Sequence, residues 1–160
     1  MRVRLAVRED MNAVLSLAEQ QVAEALPHLP FDRDVAKATF LEAIANGDLA
    51  LVAEQKGEIV GILLGRICVY DFCSGIFVNL EVLYVRPDKR GTRAAAVMLL
   101  EYLQWGEIVG AREIHLGVNN PATADRVAKM YERLGAECLG YQHRIVLDGQ
   151  QASQAPAGIS

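Results

Sequence analysis

The segment Val85–Leu100, VRPDKRGTRAAAVMLL, constrains the fold more than any other. An apolar stretch at 76–85 (IFVNLEVLYV) reads as a buried strand, and Pro87 stops it because proline cannot continue a central ladder. From Thr92 or Arg93 to Val109 the chain is rich in Ala and Leu and reads as a largely buried helix. A strand therefore runs through a short basic loop into a helix start. The first N–H groups of that helix lack intrahelical partners, and its dipole adds partial positive charge there. Together they form an anion site. Arg86, Lys89, Arg90 and Arg93 stand at this end against one carboxylate, Asp88. The chain as a whole carries a formal charge of -4, so the loop is a local reversal of sign and points to a phosphorylated ligand.

The flanking pattern supplies the rest of an α/β fold. Residues 2–7 alternate basic and apolar, as an edge strand does. Met11, Val14, Leu15, Ala18, Val22, Ala25 and Leu26 form one apolar helical face, stopped by Pro27 and Pro30. A second helix fits 32–46, capped by Asp32 or Asp34 and ended by Asn46-Gly47. Strands at Leu49–Gln55 and Glu58–Tyr70 form a hairpin across Lys56-Gly57. Gly61 and Gly65, inside the second strand, mark a bulge or a close backbone approach. After the long helix come a strand at Ile114–Val118, a helix from Thr123 to Leu134 ended by Gly135, and a last strand at Cys138–Leu147. The predicted order is β-α-α-β-β-β-α-β-α-β, a mixed sheet with helices on both faces. Residues 1–147 read as one domain and 148–160 as a polar tail.

Several function classes drop out. An acidic protein is a poor match for broad phosphate neutralisation, so no nucleic acid is expected as partner. The three cysteines, Cys68, Cys73 and Cys138, form no CxxC pair. Reduced thiols are expected, with neither a disulfide framework nor a metal site. The N-terminus meets charge too early for a signal peptide, and no apolar run reaches the roughly 18 residues of a membrane span. A cytoplasmic protein without membrane association is the expectation. There is no Walker lysine-serine pair, and no GxGxxG follows the first strand.

The loop resembles motif A of the GNAT (GCN5-related) N-acetyltransferases, in which a strand carrying Val-x-Pro leads to Arg/Gln-x-x-Gly-x-Gly/Ala. Val85-Arg86-Pro87 supplies the first part, and Arg90-Gly91-Thr92-Arg93-Ala94-Ala95 the second. Arg93 stands where the family usually has glycine. Glycine lets the backbone approach a pyrophosphate. Arginine either crowds it or swings out to pair with a phosphate, and the second is the expectation. Asp125–Gly135 resembles the family's Ala-x-x-Leu-Tyr-Glu-x-x-Gly-Phe stretch, with Tyr131, Glu132 and Gly135 matching. Met130 and Ala136 replace its leucine and phenylalanine, and Ala124 stands where asparagine is common.

The resemblance implies a GNAT fold, acetyl-CoA as cosubstrate, and transfer to a primary amine of a small molecule or peptide by direct attack. The alternative is a CoA-binding or protein-interaction module without turnover. It also implies that Leu83, Tyr84 and Val85 border the acetyl-pantetheine arm, and that Arg90, Gly91, Thr92, Arg93, Ala94 and Ala95 hold the diphosphate. Tyr131 would assist the departing thiolate; its other reading is a core tyrosine. Amine attack also needs a proton acceptor. Glu81 sits two and four residues before Leu83 and Val85, which places all three on one face of a regular strand. It is either that base, through water, or a surface charge. Asn79 continues the row as a candidate substrate contact, and His28 lies in a loop where family members contact the acceptor. Dimerisation is common in the family.

Overall fold

The computed structural model describes residues 1–118, 120–140 and 142–147. Among these residues five strands and four α-helices follow in the order β1 (Arg2–Leu5), α1 (Met11–Ala25), α2 (Arg33–Asn46), β2 (Leu49–Gln55), β3 (Glu58–Val69), β4 (Ile76–Val85), α3 (Ala94–Ile108), β5 (Ile114–Leu116) and α4 (Ala124–Arg133). The sheet order is β1-β2-β3-β4-β5. Pairing is antiparallel except between β4 and β5, where α3 provides the crossover that a parallel pair requires.

Local chemistry accounts for the boundaries. Asp32 Oδ1 accepts from the Asp34 and Val35 amides, both at 3.0 Å, and caps α2. Lys56 (φ 54°) and Gly57 (φ 79°) both take positive φ, as a two-residue hairpin turn between twisted strands demands. The sheet is covered on two sides. Val14, Leu15, Phe40, Val52, Ile62 and Leu64 pack between it and α1–α2. Leu51, Leu63, Val78, Leu80, Met98, Leu99 and Tyr102 pack between it and α3.

One irregularity governs the site. Leu64 pairs with Val82, but Gly65 pairs with Leu80, so Glu81 is an extra residue on β4. A bulge of this kind shifts the side-chain parity of the strand beyond it. Val78 and Leu80 face α3 before the bulge; Leu83 and Val85 do so after it, while Val82 and Tyr84 join the α1 side. The single row expected through Asn79, Glu81, Leu83 and Val85 is therefore broken. Gly65 lies opposite the bulge, and a Cβ there would stand 2.5 Å from Tyr102 Cε2. The expected bulge is present, and the close approach at Gly65 is made by the Tyr102 ring rather than by another backbone.

Among the described residues the expected last strand at Cys138–Leu147 does not form. Residues 138–140 and 142–147 have no regular structure, and Leu139, Ile145 and Leu147 are 82%, 86% and 75% exposed. Alternation prepares an apolar face, but a strand also needs an edge to pair with, and β5 is only three residues long. The tail expected at 148–160 lies outside the described residues. Among the described residues no helix is long and apolar enough to cross a membrane.

Candidate active site

β4 and β5 pair only from Val78–Leu80 to Ile114–Leu116. Beyond that point β4 runs on to Val85 while the chain after β5 turns toward α4. Two adjoining cavities open between them, sharing Gln21, Leu83, Asn120, Thr123 and Val127. The larger, about 310 Å³, reaches the β4–α3 loop, where it touches Tyr84, Val85, Lys89, Arg90, Gly91, Thr92 and Ala95. The smaller, about 60 Å³, is closed by Leu80, Glu81, Gly117, Val118 and Tyr131.

At the loop end, the backbone partly matches the expected anion cradle. The Arg90 and Thr92 amides donate to Pro87 O and Lys89 O, each at 3.3 Å, and the Ala94 amide donates to Thr92 Oγ1 at 3.4 Å. The amides of Gly91, Arg93 and Ala95 donate to no group among the described residues. Gly91 has φ 88°, a conformation glycine adopts freely, and no atom crowds its open side. Ala94 is buried in the core beside Met98 and Leu99 instead of facing the cleft, because the helix must bury its first apolar turn. Arg93 is exposed and lines neither cavity, so it does not plug the cleft.

The charges are arranged differently from the reading in sequence. Arg86 turns to β3, where it meets Glu58 at 3.0 and 3.1 Å, and it also donates to Asp88 at 2.6 Å. Arg90 donates to Glu24 Oε2 at 2.6 Å and to Val85 O at 3.0 Å, and lies over the Tyr84 ring. Glu24 also accepts from Asn120 Nδ2 at 2.8 Å, and these donors, Arg90 foremost, hold its carboxyl below the usual range. Lys89 lines the cavity, 3.7 Å from Asp88. The remaining cationic lining comes from α4, through Arg126 and Arg133. Neither was singled out in the sequence. Their spacing of seven, with Met130 between, puts them on one helical face, and that was the available signal.

At the inner end, the Tyr131 hydroxyl donates to Gly117 O at 3.0 Å, and burial pushes its pKa up to about 12. Glu81 Oε2 accepts from Arg66 Nε at 3.1 Å, and Arg66 reaches Asp48 at 3.5 Å. Asn79 and exposed His28 line neither cavity. Gln21 was missed. It lies among Val14, Leu17, Ala18 and Ala25 on the buried stripe of α1, and a polar residue in an apolar stripe is the sign that would have found it. Among the described residues no group of three His, Cys, Asp or Glu is placed to hold a metal.

Residues 11–136 match the Acetyltransferase (GNAT) family. A protein of Pectobacterium atrosepticum named as an acetyltransferase is 32% identical over 157 residues, covering 92% of this chain and 98% of its own. Two solved structures share the fold. A ribosomal-protein-alanine N-acetyltransferase of Brucella melitensis biovar Abortus superposes with TM-score 0.70 at 19% identity, over 92% of this chain and 100% of its own. A predicted acetyltransferase of Clostridium acetobutylicum with acetyl-CoA superposes with TM-score 0.73 at 15% identity, over 94% and 97%.

Proposed function

The chain belongs to the GNAT acetyltransferase family, and from that premise we propose that it is an acetyl-CoA-dependent N-acetyltransferase acting on a primary amine. One observation carries the reading: a cavity with a cationic, amide-lined mouth adjoins a smaller one that ends at a buried tyrosine. The amides of Gly91 and Ala95, which line that mouth and donate to no described residue, suit a diphosphate, and Lys89, Arg126 and Arg133 suit its charge. Leu83, Tyr84 and Val85 would flank the pantetheine arm. When bound, acetyl-CoA supplies an acyl group activated as a thioester.

Tyr131 stays protonated far above neutral pH. Its phenol is therefore available to donate to the departing thiolate, for which its hydroxyl must leave Gly117 O. The amine's proton leaves through water toward Glu81, whose Oε1 is not engaged by Arg66. His28 and Asn79 have no part in this scheme.

The test is a thermal-shift titration with acetyl-CoA and then CoA, followed by thiol release with a panel of primary amines. Binding raises the melting temperature by mass action. Absence of a shift with both ligands overturns the proposal. A shift without turnover on any amine favours a CoA-binding module, a reading supported by Arg90 already being held by Glu24.

A further inference from the structure

Three of the side chains where the two cavities meet are polar: Gln21, Asn120 and Thr123. Asn120 donates to Glu24, and Thr123 Oγ1 donates to Asn120 O. The half-buried Gln21 carboxamide makes no hydrogen bond to any described residue. Its two N–H donors and one acceptor are uncommitted and open to the cavity, so a ligand's polar group can take the place of water on them. Its neighbours at the junction, Leu83 and Val127, offer it no side-chain partner.

The cavities say which part of a ligand would lie there. A ligand held by its diphosphate beside Lys89, Arg126 and Arg133 reaches the smaller cavity only past the junction. At about 60 Å³ that cavity has room for a two-carbon acyl group. The acyl carbonyl then lies beside Gln21.

We propose that Gln21 reads the acyl group, with Nε2–H donating to the thioester carbonyl oxygen. This rests on the acetyltransferase reading above. In the transfer step the amine lone pair forms the C–N bond and the carbonyl π pair moves onto the oxygen facing Gln21. That pair then returns as the C–S bond breaks and the thiolate departs with its electrons; the amine proton goes to water or Glu81. A donor fixed at this oxygen strengthens as charge develops on it.

Isothermal titration of the full chain tests this without knowledge of the acceptor. Three ligands are compared on wild type, Gln21→Ala and the near-isosteric Gln21→Met: acetyl-CoA, free CoA, and S-ethyl-CoA, which keeps the two carbons and lacks the oxygen. The expected result is a roughly fivefold weaker Kd for acetyl-CoA in both variants, as loss of one hydrogen bond implies. The other two ligands should bind as they do to wild type, which also reports an intact fold. Equal weakening for all three ligands, or no weakening for any, overturns the assignment. Wild type binding none of the three overturns the acetyltransferase reading itself, a result distinct from either.

Discussion

Substituting Gly65 by alanine should destabilise the protein mainly through a clash with the Tyr102 ring. The new Cβ would stand 2.5 Å from Tyr102 Cε2 and 2.8 Å from Cδ2. Carbon atoms at ease lie about 3.5–4.0 Å apart, so the ring or strand must yield by about 1 Å. The ring has little room, since Tyr102 is 0% exposed and its hydroxyl donates to His115 O at 3.1 Å. Overpacking of this kind costs about 1–3 kcal/mol. Against it, alanine in a strand recovers about 0.5–1 kcal/mol of glycine's chain entropy. The net loss is about 1 kcal/mol and at most about 2.5, and each kcal/mol lowers Tm by roughly 2–4 °C in a domain of this size. Urea unfolding followed by circular dichroism should show a lower midpoint with an unchanged slope. In a Tyr102→Leu background, where the ring is gone, the same substitution should become close to neutral. An equal cost in both backgrounds would refute the clash.

Other expectations concern the site and the amino-terminal ion pair. Tyr131→Phe should keep CoA affinity and slow turnover by about 100-fold or more, measured by thiol release; an unchanged rate would remove Tyr131 from the chemistry. Charge reversal at Arg126 and Arg133 together should weaken CoA binding at least tenfold and flatten its dependence on salt, read by calorimetry at two ionic strengths. Arg4, bonded to both Asp10 oxygens at 2.6 and 2.9 Å, holds the Asp10 carboxyl below its ordinary value of 3.8, with help from the Val7 amide. A depressed carboxylate stabilises fully above its unfolded pKa, and that contribution is lost as pH falls through the folded one. Asp10→Asn should therefore cost about 1–3 kcal/mol at pH 7, and the gap from wild type should close as pH drops below about 3.8. A gap independent of pH would assign the loss to packing.

The sequence by itself determined what depends on neighbours along the chain. Asp32 and Gly57 set their cap and turn because those geometries close within four residues. Period and punctuation placed β2, β4 and all four helices to within a residue or two. The strand–loop–helix at Val85–Leu100 was legible because a helix start has unpaired amides whatever surrounds it. Tertiary structure decided what depends on partners distant in sequence. Glu58 and Glu24, 28 and 66 residues from their partners, claim Arg86 and Arg90, and α4 brings Arg126 and Arg133 to the cleft. A bulge, defined only by pairing with β3, moved Glu81 out of register with Leu83 and Val85. Residues 138–140 and 142–147 stayed irregular for the same reason: periodicity prepares a face, but pairing requires an edge that no local rule supplies.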